Sequence, residues 1–172
     1  MESVIKDRLI AYLLENELIT KQQHGFLAKH STCSQLLECV NEWSIELNVK
    51  NCIDVAYIDF QKAFDSVVHS KLCHKLASYG VSGKLLGWLT NFLTNRVQSV
   101  KVNNSVSDYA PVKSGVPQGS VLGPVLFLIY INDLVDLFGG GLDVKLFADD
   151  LKIYAVINDI NDINMFQAGL DA

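Results

Sequence analysis

The stretch VKLFADDLKIYAV, residues 144–156, constrains the fold more than any other. Two short apolar runs flank Asp149 and Asp150. A two-residue turn at that pair sets Ala148 opposite Leu151, and the register follows. One face then carries Val144, Leu146, Ala148, Leu151, Ile153 and Ala155, and the other carries Lys145, Phe147, Lys152 and Tyr154. Side chains alternate across a strand, so this split predicts a β-hairpin with one buried face. The aspartates themselves have two readings. Asp tolerates the left-handed region and bonds its own backbone, so the pair can be turn chemistry alone. It can also present two carboxylates at a hairpin tip.

The chain around this hairpin mixes helix and strand signals. Ile5, Leu9, Tyr12 and Leu13 recur at helical spacing over the first 15 or so residues. Residues 20–32 are polar and read as a loop, after which Ser31 or Thr32 can cap a second helix. Leu36, Val40, Trp43 and Leu47 form its apolar stripe, to about Lys50. Residues 53–60 are short and rich in β-formers, so they predict a strand ending on Asp59. Asp65 or Ser66 caps a third helix bearing Phe64, Val68, Leu72 and Leu76, which stops at Gly80. Ser82 caps a fourth, with Leu85, Trp88, Leu89 and Phe92 on its stripe. Residues 96–102 and 105–112 form a hairpin about Asn103 and Asn104. A loop with three glycines and two prolines follows at 114–124, and Pro124 suits the first turn of a buried helix to Phe138. Glycines 139–141 stop it, and a weakly helical tail follows the opening hairpin. The expected fold class is α+β, in one domain.

A chain of 172 residues, 49% hydrophobic, can bury a core and is not disordered. Its net charge of −5 offers no support for nucleic-acid binding by bulk attraction, so any polyanion site must be local or must use metal ions as its positive charge. Cys33, Cys39, Cys52 and Cys73 show no C-x-x-C spacing and read as reduced thiols of an intracellular protein. His69 and His74 have poor zinc spacing and read as solvated helix residues. The N-terminus is charged and amphipathic, unlike a secretory signal, and the apolar run 121–131 is too short for a bilayer.

If the strand ending on Asp59 pairs with the hairpin in one antiparallel sheet, three carboxylates converge at one edge. Bare carboxylates that close repel, and divalent cations resolve the conflict. Oxygen-only ligands select Mg²⁺ or Mn²⁺, and a pair of such ions is the recurring device for in-line nucleotidyl transfer. The loop 114–119 is either a plain turn before a helix or a ligand-facing loop, whose glycines permit close approach and whose Gln118 offers an amide.

Three separated blocks, AYIDFQKAFDSV (56–67), SGVPQGSVLGPVLFLIYINDL (114–134) and LFADDLKIY (146–154), together resemble the reverse transcriptases of non-LTR, LINE-type retrotransposons of the jockey and CR1 kind. QHGFLAKHST (23–32) is similar to the block that family carries in its fingers, and NRVQSVKVNNSVS (95–107) to its next hairpin. The resemblance covers about residues 4–162. It implies a right-hand polymerase with an antiparallel palm sheet packed on helices. The fingers would be about 1–52 and 80–115, the palm about 53–79 and 116–172, with the thumb missing. It implies catalytic, metal-binding Asp59, Asp149 and Asp150, with the Phe60 carbonyl also on a metal, and two Mg²⁺ ions that Mn²⁺ can replace. Phe64 falls where the family places a bulky steric gate against a ribose 2′-hydroxyl; it equally fits the stripe of the third helix. Gln118 and Gly119 would lie by the incoming nucleotide, and Lys29 near the triphosphate. Leu27 stands where the family usually has a basic residue. The implied partners are an RNA template, a DNA primer and deoxynucleoside triphosphates, with no membrane and no obligate protein partner, in the cytoplasm or nucleus.

Two other readings compete. An RNA-dependent RNA polymerase palm would use Asp65, six residues after Asp59, to read the 2′-hydroxyl; Phe64 and the FADD hairpin argue for deoxynucleotides. A non-catalytic retroelement remnant that at most binds nucleic acid is the other, since a chain without a thumb is expected to extend a primer poorly. A phospho-receiver domain is excluded, because too few residues follow Asp150 for its doubly wound sheet.

Overall fold

A computed structural model describes residues 1–139 and 141–171; Gly140, within the expected glycine stop, and Ala172 lie outside the described residues. In chain order the elements are α1 (Glu2–Glu15), α2 (Thr32–Asn48), β1 (Cys52–Ile58), α3 (His69–Ser78), α4 (Gly83–Leu93), β2 (Val97–Gln98), β3 (Lys101–Val102), β4 (Ser105–Val106), β5 (Ala110–Pro111), α5 (Gly123–Ile131), a 3₁₀ segment (Asn132–Leu137), β6 (Asp143–Phe147), β7 (Asp150–Ile157) and α6 (Ile160–Leu170). They form two compact units: Met1–Leu18 with Lys62–Tyr130, and Ile19–Gln61 with Ile131–Ala172.

The second unit is built on a three-stranded antiparallel sheet of order β1-β7-β6. Val144, Leu146, Leu151, Ile153 and Ala155 are buried on one face with Phe166 of α6, as the alternation predicts. The turn differs by one position. Phe147 pairs with Asp150 and Leu146 with Leu151, so Ala148 and Asp149 form the two-residue loop and Asp150 opens β7. Each partner moves by two residues, and a shift of two leaves every side chain on its expected face.

The expectation of a single buried face is corrected. Strand β7 lies between two others, and Lys152 and Tyr154 are buried as well, at 6% and 2% exposure. Helix α2 covers them. Trp43 meets Tyr154 edge-on at 5.5 Å, and the Lys152 ammonium sits over the Trp43 and Tyr57 rings at 5.5 and 5.4 Å. The α2 stripe is corrected with it. Gln35 and Cys39 are buried, whereas Leu36, Val40 and Leu47 are exposed. The sheet face below α2 carries Lys152 and Tyr154, and of the expected stripe only Trp43 turns inward onto it. Its start is as expected: the Ser31 side chain accepts from Ser34 N–H at 3.1 Å, and Ser34 Oγ accepts from Ser31 N–H at 2.9 Å.

In the first unit, α5 is buried nearly all round, through Val125, Leu126, Phe127, Leu128 and Ile129. It ends at Ile131 rather than Phe138, and the 3₁₀ segment continues the chain. At the start of that segment the Asn132 side-chain carbonyl accepts from the Thr20 N–H at 2.9 Å. Helix α3 begins at His69, later than expected, with Val68 as its N-cap in place of Asp65 or Ser66, and Phe64 lies in the preceding turn. His69 is not solvated: it is buried, with Nε2 2.8 Å from the Gly115 carbonyl. The hairpin about Asn103 is present as two short antiparallel ladders, β2 with β5 and β3 with β4. No helix among the described residues is long and apolar enough to cross a membrane.

Candidate active site

The register of β1 against β7 sets Ile58 opposite Leu151, which brings Asp59, the next residue, level with Asp150. Both carboxylates line one cavity of about 280 Å³, with Gln35, Tyr57, Phe147 and Lys152. Asp149 is the second turn residue, half-buried and next to Asp150 in sequence. The Phe60 side chain packs against the apolar cluster of the sheet. No three His, Cys, Asp or Glu side chains among the described residues converge into a ready metal site. The pair Asp59 and Asp150 nevertheless fits a Mg²⁺ chemistry, because that ion is commonly bound by one or two carboxylates, with waters and substrate phosphates completing its shell.

Phe64, Gln118 and Gly119 lie in the other unit and line one cavity of about 320 Å³ with Pro117, Gly123 and Pro124. The turn bearing Phe64 is stitched to the glycine loop. Val116 N–H donates to the Phe64 carbonyl at 2.9 Å and Gly115 N–H to the Val67 carbonyl at 2.8 Å. Gly115 has φ +89, and a Cβ there would stand 3.0 Å from Asp65 Cα, so the loop can approach only as glycine. The Phe64 ring stacks on Phe127, centroids 4.1 Å apart and planes at 15°. Gln118 Nε2 donates to Asp65 Oδ1 at 2.8 Å. A larger cavity, about 760 Å³, lies along Lys62, Arg96, Lys113 and Gln118.

Comparison with known proteins decides the family. The reverse transcriptase (RNA-dependent DNA polymerase) family matches residues 1–166. The chain belongs to the reverse transcriptases. It is 31% identical over 88% of its length to the probable RNA-directed DNA polymerase from transposon X-element of Drosophila melanogaster, covering 17% of that protein. It is 36% identical over 78% of its length to the RNA-directed DNA polymerase from mobile element jockey of the same organism, covering 14% of it. Its kinship is therefore with non-LTR, LINE-type elements, and it spans less than a fifth of these curated relatives. Among solved structures, telomerase from Candida tropicalis in complex with a telomeric RNA fragment superposes with a TM-score of 0.72 at 12% identity, over 99% of this chain and 30% of that one. At that identity the likeness speaks for the fold alone.

Among the residues singled out for this reverse transcriptase domain, Lys29 stands apart. It is exposed in a loop at φ +68 and does not line the carboxylate cavity. The same block holds residues that sequence reasoning missed. Gln23 is 2% exposed, and its side chain grips the hairpin turn 125 residues away. Its Oε1 accepts from Ala148 N–H at 2.9 Å and from Gly25 N–H at 2.7 Å, and its Nε2 donates to the Ala148 carbonyl at 3.3 Å. His24 N–H donates to the Leu146 carbonyl at 2.8 Å and Leu146 N–H to the Gln22 carbonyl at 2.9 Å. The only signal in the sequence is a Gln-x-Gly spacing inside a segment without helical or strand period.

Behind the turn lies a polar network. Lys145 Nζ donates to Glu38 at 3.2 Å and Glu42 at 3.1 Å, and the Tyr154 hydroxyl donates to Glu42. Burial opposes the Lys145 charge, but the hydrogen bonds and field of Glu42 and Glu38 outweigh it and hold the ammonium above its ordinary value. Burial, then Glu42, pushes the Tyr154 hydroxyl up. His24 lies 3.4 Å from Glu38 and 3.3 Å from His30. Burial lowers its pKa below 6.5, helped by His30 and Lys145 and opposed by Glu38. The unfolded chain therefore takes up this proton first as pH falls, and stability drops from about pH 6.5 down through the folded value. Thermal melting between pH 7.5 and 5.5 should show this loss in the wild type and a smaller one in His24→Gln; equal losses would exclude His24 as the group.

Proposed function

We propose that this chain is the catalytic portion of an RNA-directed DNA polymerase that extends a DNA primer on an RNA template with deoxynucleoside triphosphates. The observation that carries this reading, within the family, is the shared cavity of Asp59 and Asp150 at the sheet end, with Asp149 in the adjoining turn. In the reaction the primer 3′-oxygen attacks the α-phosphorus, the bond to the bridging oxygen breaks, and pyrophosphate leaves. Asp59, Asp149, Asp150 and the Phe60 carbonyl would hold two divalent ions, Mg²⁺ with Mn²⁺ as substitute. Such a pair supplies activation of the hydroxyl and stabilisation of the leaving oxygen.

The remaining roles follow the side chains. Phe64, wedged on Phe127, has the rigidity required of a ring that rejects a 2′-hydroxyl. Gln118 and Gly119, on the same cavity, suit the sugar and base of the incoming nucleotide. Lys29 is assigned the triphosphate on resemblance alone. The fingers are assigned to about 1–52 and 80–115 and the palm to about 53–79 and 116–172.

Primer extension on an RNA template by a polypeptide carrying this domain tests the proposal. Mg²⁺-dependent incorporation of dNTPs over rNTPs is the expected result. Preference for rNTPs would identify an RNA polymerase palm, with Asp65 as its sugar reader. No extension by a folded protein would identify a remnant.

A further inference from the structure

We infer that Gln23 is a positioning residue for the metal-binding hairpin: by holding both polar groups of Ala148 it fixes the peptide plane that aims Asp149. This inference rests on the proposed polymerase site. Ala148 has φ +56, a left-handed conformation that a residue with a Cβ adopts at a cost, and Asp149 is not among the residues of positive φ. Positive φ at the first central residue alone marks a type II′ turn; positive φ at both marks type I′. The two differ by a flip of the peptide between the central residues. Here that peptide joins the Ala148 carbonyl to the Asp149 nitrogen. Flipping it would reverse the carbonyl and re-aim the Cα–Cβ bond of Asp149.

Gln23 meets the groups that distinguish the two states. A primary amide has one acceptor oxygen and a donor nitrogen, and here each faces its complement. The oxygen takes Ala148 N–H and Gly25 N–H, and the nitrogen reaches the Ala148 carbonyl. In the flipped turn the nitrogen would lose its acceptor while buried, which is costly. The approach is tight. A Cβ on Gly25 would fall 2.3 Å from Ala148 N and 2.9 Å from its Cα, so only glycine lets this segment lie against the turn. The main-chain bonds of Gln22 and His24 to Leu146 anchor the segment along β6. The amide that grips Ala148 is thus held from both sides.

Mn²⁺ binding to the full chain tests this, followed by loss of the free-ion electron paramagnetic resonance signal, with folding followed by circular dichroism. Gln23→Glu keeps the acceptor for the two N–H groups and sets an oxygen against the Ala148 carbonyl. It is expected to weaken Mn²⁺ binding by the folded protein at least about tenfold, the loss typical when a partner that orients a metal ligand is removed. The added negative charge works against this loss, so a loss is decisive. A lowered melting temperature with unchanged Mn²⁺ affinity would make Gln23 merely structural and overturn the inference. The double variant Gln23→Glu with Ala148→Gly separates the two roles even where the single variant folds poorly. Glycine removes the left-handed penalty and restores stability, but leaves the plane unfixed. Affinity that stays low supports the inference; affinity that recovers overturns it. Wild-type Mn²⁺ binding by Asp149→Asn and Asp59→Asn would instead overturn the polymerase site itself.

Discussion

Asp149→Asn is expected to lower Mg²⁺-dependent primer extension at least about a hundredfold and to leave the melting temperature unchanged. The floor comes from metal sites in general, where losing even a group that orients a ligand costs about 10–100-fold, so losing a ligand costs at least the upper end. The unchanged stability follows from position. Asp149 is a turn residue, only half-buried, and Asn matches Asp in size and in tolerance of turn geometry. What the substitution removes is a negative charge and an oxygen. Asp59→Asn should behave alike, since Asp59 lies just past the end of β1 and contributes no ladder pairing. Asp54→Asn is the control: Asp54 is exposed within β1, opposite Ala155 and away from the sheet end, and should stay within about twofold of wild type. Extension rates across a Mg²⁺ titration make the comparison. Unchanged extension by Asp149→Asn would remove it from the site.

How far the sequence reaches is clearest in the hairpin that bears this residue. Alternation assigned the flanking strand side chains, Val144 to Phe147 and Leu151 to Ala155, to their faces, yet missed the turn by one position. Polarity patterns fix parity but not the turn position, and the turn's partner, Gln23, lies 125 residues away in the chain. The same limit explains α2. Its apolar stripe is real, but a stripe does not say what it faces, and apart from Trp43 the helix meets the sheet through Gln35, Cys39, Glu38 and Glu42. Burial of Lys152 between two aromatic rings is a further case, since alternation alone marks it as outward. Of the candidate site, the strand end at Asp59 was legible because a short run of β-formers is a local property, whereas its pairing level with Asp150 was only a condition until the β1–β7 register was known. The grouping of Phe64 with Gln118 came from resemblance, and its cause, a backbone bond from Val116 to Phe64, spans elements that no periodicity links. His69 was misread for the same reason: its partner, the Gly115 carbonyl, is contributed by a distant loop.

The second large effect is expected at Phe127. It is 2% exposed in a helix that is buried nearly all round, so Phe127→Ala should cost about 3–5 kcal/mol of stability, the range for deleting a buried aromatic ring. A chain so destabilised is uninformative about chemistry, so Phe127→Leu carries the functional half of the prediction. Leucine keeps an apolar side chain against the core and costs less. It removes the flat surface on which the Phe64 ring stacks at 4.1 Å, a contact worth about 0.5–1.5 kcal/mol beyond burial. Phe64 would still be tethered through its carbonyl to Val116, but its ring would be free to tilt. If that ring excludes the ribose 2′-hydroxyl, discrimination between dNTP and rNTP, measured as the ratio of kcat/KM, falls in Phe127→Leu and falls further in Phe64→Ala. Stability and selectivity then part company: Phe127→Ala loses mainly the first, Phe64→Ala mainly the second, and Phe127→Leu some of each. Discrimination untouched by Phe127→Leu but lost in Phe64→Ala would mean that the backbone tether alone holds the gate. Discrimination untouched by both would return Phe64 to the core.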